Sequence, residues 1–385
     1  MKALSILFIT ISLIGFSCTK NFEEINTDPN RIDKISPGTL LNPIIYEMAS
    51  FNTLRADDFT FGIMQVMIPF PSAGGGIHRY DVSEAAGNST WNTSYRWLIN
   101  IKEMLNAAIA AEDPNYEAIA LTLNAWVYSN LTDAFGDVPM TEAARGDEGI
   151  FRPRFDRQSD IYPKIIADLD SANAKFITTR AMVFGTDILY NNSVANWKKF
   201  CNSLRMRLLL RVSRRPEMDS WNELAEMVND PVKYPVFTKN DEAAILKISG
   251  VVPNVSPWGR AIDFTTFRAS AAFFIDSLNA MNDPRRARWM SQARELDGVT
   301  NIGYKGIPAG FAGNESQFQF LPSNFLVALA TAPHTSVIMT YAEVEFIKAE
   351  LAQRGVIVAD AKTHYEKAIW RSEERRVGKC RSRWS

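Results

Sequence analysis

The sequence predicts a mainly α fold, in which stacked helical hairpins carry an irregular, loop-rich lobe. Three observations point there. Apolar residues recur three and four apart over paired stretches, near 91–131, 159–213 and 341–370. Residues that open and close helices bracket those stretches. Between about 216 and 333 the recurrence gives way to short apolar runs and Gly/Pro-rich text. A sizeable core is affordable, since 46% of the 385 residues are apolar.

The N-terminus reads as a leader. Lys2 precedes an apolar run from Ala3 to Phe16, shorter than the about 20 residues a membrane-spanning helix needs. Its charge and length fit a secretory signal. Gly15 and Ser17 then lead into Cys18 in a lipobox-like arrangement. Residues 1–17 are therefore expected to be a lipoprotein signal peptide, and Cys18 the acylated first residue of the mature chain. Burial of acyl chains contributes about 0.8 kcal/mol per CH₂. The remaining cysteines are Cys201 and Cys380, so no disulfide is expected. Cys201 sits in an apolar helical pattern and reads as a small core residue.

A polar stretch follows, with turn formers Asn26, Asp28, Pro29 and Asn30. Ser36-Pro37 opens the first helix, with Pro where its missing N–H costs nothing. Leu40, Leu41, Ile44, Ile45 and Met48 keep its helical spacing. Residues 71–90 read as a loop. The glycines at 74–76 lack the lysine and flanks of a phosphate loop, which excludes a nucleotide site. Trp91–Ala111 and the stretch from Asp113-Pro114 to Leu131 form the first hairpin. Ser159–Phe176 and Ser193–Ser213 form the second, and Trp91, Trp126 and Trp197 fall on core stripes. The insertion at 216–333 holds a short apolar run, Ala244–Ile248, two long loops at Gly250–Arg260 and Tyr304–Asn324, and a helix at Ala271–Met281. Tyr341–Arg354 and Asp360–Trp370 form the last hairpin, with Gly355 as a helix stop. Its Tyr365-Glu366-Lys367-Ala368-Ile369 looks tetratricopeptide-like. From Arg371 the text RSEERRVGKCRSRWS resembles translated adapter sequence. The native frame is expected to break near Ser372, leaving 373–385 non-native.

Charge and residue usage exclude several functions. Lys+Arg 42 against Asp+Glu 43 gives a net charge of −1, so nothing favours nucleic acid. Three scattered His make no zinc motif, and no cofactor motif is present. Asp28 and Asp33 miss the spacing of a calcium loop. Thr132-Asp133 and Gly136-Asp137 are read as turn-shaping rather than catalytic. Glu343, Glu345 and Glu350 are read as a solvated helix face. The basic run Lys198, Lys199, Arg205, Arg207, Arg211, Arg214 and Arg215 is read as ion pairing across helices.

Taken together, these segments resemble the SusD/RagB family, and its SusD-like subgroup in particular. Phe22–Asn30 is similar to that subgroup's opening. Leu131 through Pro139 resembles its T-D-x-x-G-D-x-P turn. Phe155 through Tyr162 resembles its D-x-Q-x-x-I-Y helix start, and Trp197 through Arg205 its W-x-x-F-x-N-S-L-R helix. Asn282-Asp283-Pro284-Arg285 and Tyr341-Ala342-Glu343-Val344 also fit. The resemblance covers residues 18–372 as a SusD-like domain. The family continues past this point, so the chain is read as C-terminally truncated. The resemblance implies tetratricopeptide-like units packed on an irregular lobe, and an outer-membrane lipoprotein at the cell surface. It implies binding of an oligosaccharide or other nutrient, and delivery to a SusC-like TonB-dependent transporter. It brings no catalytic residues. A secreted glycoside hydrolase and a protein-binding helical scaffold are the alternatives.

Sugar binding needs apolar ring faces for pyranose C–H surfaces and polar groups for hydroxyls. Aromatic and polar residues in loops, away from helical stripes, are therefore the candidates. These are His78, Arg79 and Tyr80 after the glycine run, Asn254 and Trp258 in the second loop, and Tyr304 and Phe311 in the third.

Overall fold

The computed structural model describes residues 35–71 and 74–374. The expectations for the signal peptide, for Cys18, for the family-like opening at Phe22–Asn30 and for the residues beyond 374 lie outside them.

Helix α1, Pro37–Arg55, starts on the Ser36-Pro37 signal and buries Leu41, Ile44, Ile45 and Met48. A short strand β1, Met67–Pro69, follows. Helices α2, Asn88–Ala110, and α3, Pro114–Phe135, form the first hairpin. The Asp113 side chain caps α3, accepting from Asn115 N at 3.0 Å and Tyr116 N at 3.3 Å. Gly136, with φ 75°, ends α3 in a conformation that other residues resist. Helices α4, Gln158–Lys175, and α5, Val194–Arg211, form the second hairpin, with Ser193 capping α5. The stretch read as loop-rich then supplies a further helix, α6, Ser220–Asn229, whose Leu224 and Met227 join the main core.

The lobe contains β2, Ala244–Ile248, β3, Arg268–Ser270, α7, Ala272–Ala280, and α8, Arg286–Trp289. Strand β4, His334–Met339, leads into α9, Tyr341–Gln353, and then α10, Ala361–Glu374. Strand β1 pairs antiparallel with β3, and β2 with β4. Thr53 of α1 donates to Ser336 of β4 at 2.9 Å, which ties α1 to this second pair. The lobe fills itself with apolar clusters around Ile68, Ile307 and Phe320, and around Met67, Phe264 and Phe325.

The basic face of α5 fastens neighbouring segments. Lys199 meets Glu242 at 2.6 Å, and Arg205 meets Asp170 and Glu223 at 2.6 and 2.8 Å. Arg207 meets Glu343 at 2.5 Å, and Arg211 meets Asp133 at 2.7 Å. Asp133 also accepts from the Tyr162 hydroxyl at 2.6 Å, and Asp137 accepts from Gln158 N at 2.8 Å. The Thr132–Asp137 segment is thus a structural corner. Trp126, Trp197 and Cys201 are buried, while Trp91 is half-buried against Phe135 and Phe155.

The reading of Glu343, Glu345 and Glu350 as a solvated face is corrected: Glu343 is half-buried in its pair with Arg207. Glu345 is not on a solvated face: it is 1% exposed, because α10 folds over it. His364 Nδ1 lies 2.6 Å and Lys367 Nζ 3.2 Å from its carboxylate, and Lys348 stands at 4.0 Å. Helical spacing locates a residue on a face but does not tell what covers that face.

Close packing also fixes Gly306. A Cβ there would sit 2.7 Å from the backbone of Ala271 and Ala272, because the chain is pinned by Ile307 N to Ser270 O at 2.9 Å and Ala272 N to Ile307 O at 2.8 Å. Gly306→Ala is expected to lower stability by about 1–3 kcal/mol, read as a lower urea midpoint at constant slope.

Candidate functional site

The site starts from a local irregularity in the first helix. α1 continues through a π-helical turn, Ala56–Thr60, before a last α turn ending at Ile63. Such turns insert a residue and re-aim side chains. Here Asp57 turns inward, 9% exposed, while Asp58 stays at the surface.

The Asp57 carboxylate joins segments far apart in sequence. Its Oδ2 accepts from Trp258 Nε1 at 2.9 Å, 201 residues away. Its Oδ1 accepts from the guanidinium of Arg268 on β3, 211 residues away. A buried charge persists only when paired and hydrogen-bonded, so this carboxylate clamps π-turn, loop and strand.

Asp57 lines two cavities. One, of about 510 Å³, is walled by Phe61, Trp258, Phe264, Phe274, Trp289 and Phe325, with Asn52, Thr53 and Thr335 as its other polar groups. Its rings interlock: Phe264 stacks on Phe325 at 5.2 Å, and Trp258 meets Phe264 edge-on at 5.0 Å. The other cavity, of about 310 Å³, is lined by Asp58, Gly76, His78, Thr266, Phe267 and Arg268. Partial desolvation at the cavity edge pushes the Asp58 carboxyl above its ordinary value, against the pull of Arg55. Burial, then the neighbouring Arg79, pushes the pKa of the His78 ring down.

Two exposed rings stand out by their backbone. Phe267 is 81% exposed with φ 56°, and Tyr80 is 66% exposed with φ 61°. Left-handed backbone at a bulky residue costs about 1–3 kcal/mol and clusters at functional segments. Phe70 N donates to Phe267 O at 3.1 Å, so the β1–β3 ladder holds the strained residue in place. Tyr80 closes a short 3₁₀ turn, its N donating to Ile77 O at 2.9 Å.

The residues singled out from sequence take different positions. Trp258 is half-buried in the larger cavity's wall, and His78, 3% exposed, lines the smaller one. Tyr80 presents its ring to solvent two residues beyond His78. Arg79 is spent internally: its Nε donates to Ala309 O at 3.2 Å and its guanidinium to Phe311 O, which fastens the glycine loop to the third loop. Asn254 closes its own turn, donating to Lys247 O at 2.8 Å. Tyr304 lies half-buried under the Arg286 guanidinium, 4.5 Å from the ring centre. Phe311 is packed in the lobe's core. The structure thus brings Trp258 and His78 to the Asp57 cavities and keeps Asn254 and Phe311 out of them. Sequence reasoning missed Asp57, Arg268 and Phe267. Phe267 carried a signal, an aromatic among polar residues outside any helical stripe; Asp57 carried none.

Among the described residues, no group of three or more His, Cys, Asp or Glu side chains is placed to hold a metal ion. No helix among them is long and apolar enough to cross a membrane.

Residues 29–379 match the SusD-like_2 family model, described as starch-binding associating with outer membrane. The chain belongs to the SusD-like family. Solved structures agree on the fold. A SusD homologue from Bacteroides fragilis matches at TM-score 0.71 and 22% identity, over 88% of this chain and 73% of its own. A chitin-binding protein matches at 0.69 and 21%, over 88% and 74%. A SusD-like protein from Bacteroides thetaiotaomicron matches at 0.66 and 20%, over 88% and 70%. No curated protein matches the sequence. In this SusD-like chain the hairpins α2–α3, α4–α5 and α9–α10 form the helical scaffold, and the Asp57 cavities lie where α1 meets the lobe.

Proposed function

We propose that this SusD-like protein is a surface lipoprotein that captures glycan and delivers it to a SusC-like TonB-dependent outer-membrane transporter. The observation that carries the binding role is the strained, exposed ring of Phe267 in the lining of the smaller Asp57 cavity, with a second strained, exposed ring, Tyr80, two residues beyond His78 of the same lining. A pyranose offers C–H faces that pack on such rings, and its hydroxyls need groups such as the Thr266 hydroxyl and the Arg268 guanidinium. The family's description as starch-binding and a structural neighbour named for chitin binding support a glucan or an amino-sugar polymer as first ligands to try. Lipidation at Cys18 would tether the domain to the outer membrane.

Binding is favoured over hydrolysis by the state of the carboxylates. A glycosidase needs two carboxyl groups facing across the scissile bond, about 5–9.5 Å apart. Both Asp57 oxygens are already engaged, and Asp58 lies 3.6 Å from Arg55.

The test is affinity electrophoresis and calorimetry against starch, chitin and plant-glycan oligosaccharides, with Phe267→Ala and Tyr80→Ala variants. Each variant is expected to weaken binding by about tenfold or more without lowering stability. Phe267→Gly should lose the ring and yet gain about 1 kcal/mol of stability as the strain is released. Wild-type protein that binds no member of the panel, or variants that bind as tightly as wild type, would refute this reading. Loss of membrane association in Cys18→Ala and co-purification with a transporter barrel test the remaining parts.

A further inference from the structure

A cleft of about 640 Å³ lies among helices α2, α3 and α4, and it shares no lining residue with the Asp57 cavities. Its apolar wall is Leu98, Ile101 and Leu105 of α2 with Leu121 of α3. One turn apart on α3, Asn124 and Tyr128 line it too. Tyr128 is 4% exposed, yet among the described residues its hydroxyl has no hydrogen-bond partner within the chain. The hydroxyl opens onto the cleft, where a ligand group can pair with it.

Charge narrows what that partner is. Three carboxylates line the cleft: Asp156, Asp160 and Asp168. Its two ammonium groups are occupied. Lys164 pairs with Asp168, and Lys102 turns to the Ala144 carbonyl at 2.7 Å and to Asp147 at 3.4 Å. Burial works against the Asp156 charge, but hydrogen bonds from Thr141 N, Met140 N and the Thr141 hydroxyl, at 2.8, 2.7 and 2.9 Å, hold its carboxyl below its ordinary value. Among the described residues, neither Asp156 nor Asp160 has a cation within salt-bridge distance. The cleft therefore joins, among the described residues, two carboxylates that no cation contacts, although Arg154 acts on Asp156 from farther off, with an apolar wall and a hydroxyl that has no partner within the chain.

We propose that this cleft is a second ligand site, for an organic cation with an ammonium group on a short apolar body. The ammonium group sits between Asp156 and Asp160, where the Tyr128 hydroxyl and the Asn124 amide oxygen can accept from it. The methylenes lie along the Leu98–Ile101–Leu105 wall. A free diamine and a lysine side chain of a docking peptide share this chemistry.

Calorimetry and ligand-observed NMR on the full chain would use 1,5-diaminopentane, Nα-acetyl-lysine methylamide and neutral 1,5-pentanediol. At least one amine is expected to bind about tenfold more tightly than the diol, and the tighter amine identifies the source. Asp160→Asn and Tyr128→Phe should each weaken amine binding by about tenfold, with Tyr128→Phe leaving the melting temperature unchanged. Equal binding of the diol, no amine binding, or amine binding intact in both variants would overturn the proposal. A melting temperature lowered by Tyr128→Phe would also overturn it, because the hydroxyl would then have a partner in the fold.

Discussion

Glu345→Ala is expected to lower the unfolding free energy by about 3–5 kcal/mol, the range for removing one partner from a buried ion pair. The carboxylate is 1% exposed and faces His364 and Lys367 of α10 and Lys348 of its own helix. Without it, Lys348, whose pKa burial already pushes down, loses the carboxylate that favours its charged form. The same group sets an acid limit. Burial alone would raise the Glu345 carboxyl, but His364 and the two lysines hold it below its ordinary value of 4.5. A carboxylate with a depressed folded pKa stabilises fully above the unfolded value and loses that contribution as pH falls through the folded one. Wild-type stability should therefore decline below about pH 4.5, and the gap to Glu345→Ala should narrow over the same window. Urea denaturation of both proteins between neutral pH and about pH 3 decides it. A gap that stays constant with pH would mean that Glu345 acts by packing alone.

Asp57→Ala is expected to lower stability by a similar amount, about 3–5 kcal/mol, and to abolish glycan binding as well. Arg268, mostly buried, would lose its counter-ion, and Trp258 Nε1 its acceptor. Trp258 would then be free to leave the wall of the larger cavity. Asp57→Asn keeps the shape and can still accept from Trp258, but it turns an N–H toward Arg268, so it should fall between alanine and wild type. The contrast with Phe267→Ala is the informative part. Losing an exposed ring should weaken binding at constant stability, whereas losing the buried clamp should reduce both. If Asp57→Ala melts like wild type, the clamp described here does not hold the site together.

How far the sequence reaches depends on how local the signal is. The hairpins were legible because a helix repeats every 3.6 residues, and Leu98, Met104 and Ala108 on α2 or Trp197, Leu204 and Leu208 on α5 carry that repeat themselves. Caps at Asp113 and Ser193 and the stop at Gly355 act on neighbouring backbone groups, so they too were readable. The short helix α6 escaped notice because ten residues carry too few apolar repeats to stand out beside Pro216. The text around Trp258 reads as a loop, yet nothing near it announces its acceptor, Asp57, in the π-helical turn after α1.

From the sequence alone came the helical architecture, the core stripes, the cross-helix role of the α5 cations and the family resemblance, all of which rest on short-range periodicity or contiguous motifs. Tertiary structure alone decided that Glu345 is buried, that Arg79 and Asn254 serve their own loops, and that Asp57 meets residues more than two hundred positions away. The physical reason is that periodicity places a side chain on a face of its own element. Whether that face meets water, an apolar wall or an opposite charge is set by which distant segment packs against it.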